Sequence, residues 1–386
     1  MIQFKSALST IVDQHIMKQK ILFSLAFIIF AISPALAKPE PLDIGSSAPS
    51  FKLTGVDGST YTLDDFSDAK VLMVVFTCNH CPTAQAYEQR IKEITSDYSD
   101  QGLQVVAISP NDPKALRPDE LQYSDMNDSL EEMKIRAKQR DFNFPYLYNG
   151  DKQTASKKYG PSATPHVFLF DEERKLRYQG AIDDNENPAK VTKKFTRKAI
   201  EALLNGEEVP VKTTKVFGCS IKWASKRPQA RKARKELKQE SASVEELELD
   251  RLKKILKNED GNVQLFNVWA TWCGPCQEEF PDLVEINHYY RQRNFKMYTI
   301  SIDTLNKKDD VKAFLNKHHA SMNNFIVPSS KRQQLAKILD PEWNGPVPHT
   351  VIFGPDGNVL HRRTGRIDPL KVKRTIVNEL GRTYYE

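Results

Sequence analysis

The chain has 386 residues, 39% hydrophobic and 27% charged, a balance that marks folded globular domains and excludes a disordered or fibrous protein. At about 100–200 residues per domain, this length predicts two domains rather than one core. The net charge of +6 hides a local excess: residues 212–238 hold ten Lys or Arg and one acidic residue, so the rest of the chain sums to −3.

The first 37 residues read as an export signal. Lys18 and Lys20 precede an apolar run at 21–32, and small residues at Ala35 and Ala37 place cleavage after Ala37. Translation starts at Met1 or at Met17, where "MKQK" makes a usual charged opening. The twelve-residue apolar run falls short of the ~20 residues of a spanning helix. The expected location is the periplasm or cell envelope, where cysteines meet oxidants. Five cysteines are too few for a disulfide-stapled scaffold, so the two close pairs are assigned to chemistry.

Next comes a hairpin with its turn at Asp57 and Gly58, then the continuous apolar strand 71–76, ending just before Cys78. Apolar spacing from Thr83 to Tyr98 predicts a helix, 103–109 a second buried strand and 166–180 a second hairpin. After the basic segment the order repeats: a helix at 244–256, a strand at 263–270, a cysteine pair, a helix, a strand at 295–303 and a hairpin at 349–365. Strands alternating with helices give an α/β fold in each half, a mainly parallel centre with an antiparallel hairpin at one side. The expected division is a signal peptide at 1–37, a domain at 44–211, a solvated basic linker at 212–243 and a domain at 244–386. A proline precedes the last hairpin of each half, 84 positions after Cys81 (Pro165) and 72 after Cys276 (Pro348). The extra 12 are placed in the polar loop 110–129.

Cys-X-X-Cys at the start of a helix has a specific physics. One sulfur faces the free N–H groups and positive end of the helix, which favour its thiolate, while the second, a turn deeper, resolves the mixed disulfide. Cys273 and Cys276 fit these roles, as do Cys78 and Cys81, with Trp272 as an apolar cover and Pro281 expected to kink the helix. His80, between the first pair, favours the reduced form and makes that disulfide the stronger oxidant. Electrons are therefore expected to run from Cys273/Cys276 to Cys78/Cys81.

"NVWATWCGPCQEEFPDL" at 267–283 resembles the active site of the thioredoxin fold, and in particular the exported TlpA/ResA-like thiol-disulfide oxidoreductases. This implies that 244–386 is one thioredoxin-fold domain, that Pro348 is a cis-proline facing the disulfide, and that Val347 offers a backbone edge to a substrate. Glu279 matches the acidic residue these enzymes carry near the pair, and Asn267 stands where cytosolic thioredoxins have a buried aspartate. "FTCNHCPTA" at 76–84 resembles the redoxin, or peroxiredoxin-like, branch. Here Cys81 is the counterpart of a peroxidatic cysteine, and Pro165 after Thr164 matches the cis-proline. The family's earlier proline and threonine are replaced by Val74 and Cys78, so disulfide exchange is favoured over peroxide chemistry. Cys219, in a Gly-Cys-Ser tail that related sequences share, is either a resolving partner for Cys78, a link between chains, or a buried free thiol.

These features predict tandem thioredoxin-fold domains, each a central mixed sheet flanked by helices, exchanging disulfides with protein thiols. A membrane-bound electron donor is expected, and no metal, small-molecule cofactor or nucleic acid. The competing readings are peroxide reduction by the first domain, fed by the second, and a redox-inert client-binding module. His166 and His349 receive no role. His318 and His319 are expected to face solvent.

Overall fold

A computed structural model describes residues 39–385, so the expected signal at 1–37 lies outside the described residues. Among the described residues no helix is long and apolar enough to cross a membrane. The first half opens with β1 (Lys52–Gly55) and β2 (Thr60–Thr62), the hairpin expected around Asp57 and Gly58. β3 (Val71–Phe76), β4 (Leu103–Ser109) and β5 (Tyr146–Tyr148) run parallel. The two-residue β6 (Ala163–Thr164) leads into the hairpin of β7 (His166–Phe170) and β8 (Leu176–Gly180), and the sheet order is β2-β1-β5-β4-β3-β7-β8.

β3 is central because it is apolar on both faces and wholly buried. Its residues alternate: Val71, Met73 and Val75 enter one core with Tyr87, Ile91 and Ile94 of α1 (Pro82–Tyr98), while Leu72, Val74 and Phe76 enter another with Phe168 and Phe170. α2 (Leu130–Arg140), α3 (Thr154–Tyr159) and α4 (Phe195–Leu204) complete this half. The chain then returns as β9 (Cys219–Ser220), antiparallel to β6.

After α5 (Arg227–Leu237), the second half has β10 (Glu245–Glu246), α6 (Leu249–Leu256), β11 (Val263–Trp269), α7 (Gly274–Tyr290), β12 (Phe295–Ser301), α8 (Lys308–Lys317) and β13 (Asn323–Ile326). α9 (Arg332–Leu339), the hairpin β14 (His349–Phe353) and β15 (Val359–Thr364), and α10 (Pro369–Leu380) follow. The order β10-β13-β12-β11-β14-β15 is parallel from β10 to β11 and antiparallel beyond it. Trp269, Phe280 and Phe314 form an aromatic knot with ring centroids 4.8–5.0 Å apart. Pro281 lies inside α7, which continues past it as one helix. Both halves are thus the tandem thioredoxin-fold domains that the sequence implied.

Four expectations change. The helix expected from Val244 begins only at Leu249, because Glu245 and Glu246 pair with β13 as an edge strand. The basic segment is not a solvated linker. Ile221, Trp223, Ala230 and Ala242 are buried, Arg227 pairs with the buried Asp112, and Arg234 donates to the Leu116 carbonyl at 2.6 Å. Three of its cations, Lys222, Arg227 and Arg234, meet Glu120, Asp112 and the Leu116 carbonyl on loop 110–129, which is itself not a polar surface insertion. His318 is half-buried and packs its ring on Phe314 at 4.5 Å rather than standing free in solvent.

Loop 110–129 joins the halves. Leu121 belongs to the second half's hydrophobic core, Tyr290 donates to the Ser124 carbonyl at 2.8 Å, and Arg293 to that of Gln122 at 3.2 Å. Asp125, fully buried, accepts from Arg374 at 3.0 Å and Arg382 at 2.6 Å. Burial alone would raise its carboxyl, but the two guanidiniums hold it below the usual carboxylate range. Removing one partner of a buried ion pair strands the other. Asp125→Ala is therefore expected to cost about 3 kcal/mol, read as a lower urea midpoint; an unchanged midpoint would show that the loop is not what couples the halves.

Candidate functional site

In the second half, β11 delivers the chain to the motif and α7 begins at once. Cys273 is the N-cap of α7, its sulfur accepting from the Cys276 N–H at 3.3 Å, and the two cysteines are joined as a disulfide. Cys273 is 5% exposed and Cys276 wholly buried, so an incoming thiol meets the first sulfur first. Trp272 is 63% exposed beside them, an apolar platform of the kind that mediates protein contact. Thr271 is pinned in front by Asp303, through its N–H at 2.9 Å and its hydroxyl at 2.7 Å. The Val347–Pro348 peptide is cis, and the register Val268↔His349 sets Pro348 beside the end of β11, where the motif springs.

Glu279 and Asn267, singled out separately in the sequence, touch. Glu279 is fully buried, accepting from the Asn267 amide at 2.9 Å and from the Ile367 N–H at 2.9 Å. Asn267 also donates to the Thr350 hydroxyl at 2.9 Å. Burial drives the Glu279 carboxyl above its usual range, with Asp282 adding to the rise and the two hydrogen bonds opposing it. Glu279 lies three residues after Cys276 on α7, hence on the same helix face. His349, given no role, stacks on Trp343 and bonds Asp340 and Thr364 as a core residue.

The first half departs from this plan in an instructive way. Pro82 at the first helical position fixes the start of α1, so its N-cap is Cys81, the second cysteine, which accepts from the Ala84 N–H at 3.4 Å. Cys78, expected to occupy that position, stands a turn earlier. The N–H groups of Asn79 and His80 are satisfied not by a helix but by the carboxylate of Asp128, at 2.8 and 3.2 Å. The same carboxylate accepts from Asn111 at 2.8 Å and meets His80 Nδ1 at 2.6 Å. Burial pushes the imidazole down, but Asp128 and the nearby Cys78 sulfur outweigh it and carry the ring up to about 10.

The cysteine pairing also differs from expectation. Cys81 is bonded to Cys219, not to Cys78, and Cys78 is a buried free thiol with its sulfur 3.2 Å from the Thr164 hydroxyl. The Thr164–Pro165 peptide is cis, as the resemblance implied. Sulfur, imidazole and carboxylate of Cys78, His80 and Asp128 gather within 4.8 Å of one another. The close Nδ1–carboxylate hydrogen bond joins His80 and Asp128 as a proton-sharing pair beside the Cys78 sulfur. No local pattern marks Asp128 or Asn111: they come from the loop expected to be surface, and 48 residues separate Asp128 from His80.

The model of the AhpC/TSA family matches residues 44–179 and 233–362. Among curated proteins, thiol-disulfide oxidoreductase ResA of Bacillus thuringiensis (strain Al Hakam) is 32% identical over 114 residues, which are 29% of this chain and 61% of that protein. The thiol:disulfide interchange protein DsbE homolog of Paracoccus denitrificans (strain Pd 1222) is 28% identical over 103 residues, 27% of this chain and 51% of its own. The chain thus spans between about half and about three-fifths of these relatives' lengths. A solved structure of a hypothetical protein from Sinorhizobium meliloti 1021 is 34% identical, covering 48% of this chain and 97% of that one, with a TM-score of 0.43.

The environment of Glu279 sets a pH dependence. Its carboxylate form, the one able to take a proton from Cys276, accumulates only as pH rises through its raised pKa, so exchange should climb over that range. Glu279→Gln is expected to lower the neutral-pH rate about 10²-fold and to flatten the climb in a stopped-flow pH profile. A wild-type profile in the variant would remove Glu279 from proton transfer.

Proposed function

The chain belongs to the AhpC/TSA family, within the thioredoxin superfamily, and from that premise we propose that it is an exported thiol-disulfide oxidoreductase acting on protein substrates, with Cys273 and Cys276 as its principal site. The observation that carries this reading is the sulfur of Cys273 at the amino end of α7, already bonded to a Cys276 that is sealed from solvent. The naming of its ResA and DsbE relatives supports the same class of activity.

In the reductive direction, the reduced Cys273 attacks as a thiolate, stabilised by the helix terminus. It bonds one sulfur of a client disulfide and releases the other as thiolate. Cys276 then gives its proton to Glu279, attacks Cys273 and frees the client's second sulfur, leaving the enzyme disulfide. Trp272 and the Val347 backbone beside Pro348 hold the client strand, and a membrane-bound donor restores the dithiol. In the first domain, Cys78, Cys81 and Cys219 form a second redox centre, with His80 as its charge partner and Thr164 and Pro165 as its edge.

Cys273→Ser in the full chain is expected to abolish insulin disulfide reduction. Cys276→Ala should instead leave mixed disulfides that can be captured from the envelope and separated under non-reducing conditions. Unchanged insulin reduction by Cys273→Ser would overturn the assignment.

A further inference from the structure

β9 lies where a client strand would lie. It runs antiparallel to β6 with Cys219 opposite Thr164, the residue before cis-Pro165. At the second site, the Val347–Pro348 turn carries no added strand among the described residues. The fit of β9 depends on Gly218: at its φ of +138°, a Cβ would stand 2.0 Å from the Thr164 carbonyl oxygen. Downstream the segment is tied in place, the Lys222 N–H donating to Asn111 at 2.8 Å and the Lys222 carbonyl accepting from Asp112 at 2.9 Å and from Gln153 at 3.0 Å. Asn111 is the residue that also holds Asp128. The edge of the first domain is therefore occupied by the chain's own tail, with its cysteine covalently fixed.

Cys78 sits beside that bond. Cys78, Cys81 and Ala84 form one buried cluster with Cys219 packed against it. His80 is 2% exposed, its Nδ1 bonded to Asp128 and its Nε2 without a hydrogen-bond partner. An unpartnered buried ring nitrogen costs free energy unless a charge faces it. The Cys78 sulfur, within 4.8 Å of a His80 nitrogen and a carboxylate oxygen of Asp128, supplies one when deprotonated.

We propose that the three cysteines form an internal exchange device in which the Cys78 thiolate, paired with the His80 imidazolium, attacks Cys81 and displaces Cys219. The Cys78–Cys81 bond forms as Cys81–Cys219 breaks; Cys219 leaves as a thiolate and takes a proton from water, while His80 keeps its own against Asp128. One disulfide replaces another, and no electrons enter or leave. The product frees β9 from its covalent anchor, so the Thr164 edge opens as a Cys-X-X-Cys disulfide becomes available behind it. In the starting state the tail is a built-in client that closes the site. That use rests on the thiol-disulfide reading above, whereas the exchange itself does not.

The cation at His80 spans the neutral range, since burial's downward push is overcome by Asp128 and Cys78. The hydroxyl of Tyr146 reaches the neighbouring Asn79 at 3.2 Å. Losing the imidazole removes the cation that faces the Cys78 sulfur, so exchange should slow.

The test treats the oxidised full chain with N-ethylmaleimide at pH 7 without reductant, then maps peptides without reduction. The expected product carries the label on Cys219 and a Cys78–Cys81 disulfide. C78S should abolish labelling of Cys219, and H80Q should slow it at least tenfold at pH 7. G218A replaces none of Cys78, His80 and Asp128 and should speed labelling by loosening β9, which keeps the test readable if H80Q folds poorly. Label on Cys78 with Cys81–Cys219 retained, or equal rates in H80Q and wild type, would overturn the proposal. Insulin reduction through Cys273 is a separate readout, so failure of exchange and failure of the oxidoreductase reading are distinguishable.

Discussion

The carboxylate of Asp128 is the point on which the first site turns. It is wholly buried, so its charge must be answered on every side. The two N–H groups ahead of α1, the Asn111 amide and the His80 ring answer it together. Its loop reaches that place because Leu121 is held in the second core and Asp125 between Arg374 and Arg382. A single segment therefore connects the geometry beside one set of cysteines to the packing of the other domain.

The two halves solve the same problem with different parts. Both put a sulfur at the amino end of a helix and a cis-proline turn beside the strand that feeds it. The second half adds a buried carboxyl whose partners are neutral, Asn267 and a backbone N–H, an arrangement that suits a group taking and giving a proton. The first half adds an ion pair, which suits a group that holds charge steady. The difference follows from where each helix begins: Pro82 starts α1 directly after Cys81, whereas Cys273 is already the cap of α7.

Much of this was legible in the sequence, and the reasons are local. Runs such as 71–76, apolar throughout, and 263–269, apolar but for Gln264 and Asn267, declare buried strands. The cysteine spacings and the prolines at 165 and 348 declare the sites because their geometry is set within a few residues. What escaped was long-range. Nothing near Asp128 in the sequence marks it as the partner of His80, and a proline-containing polar stretch reads as surface unless its acids have basic partners elsewhere. The pairing of Cys81 with Cys219 spans 138 positions, and the basic segment reads as a linker for the same reason: the acid and carbonyl that meet Arg227 and Arg234 lie more than a hundred residues away.

Leu121 and Asp125 also bear on the order in which the molecule is completed. A ribosome makes the first half long before Arg374 and Arg382, so the loop bearing Asp128 waits, uncovered, until nearly the last helix has been synthesised. Cys78 and the histidine two residues after it are thus translated long before the arginines that hold their loop.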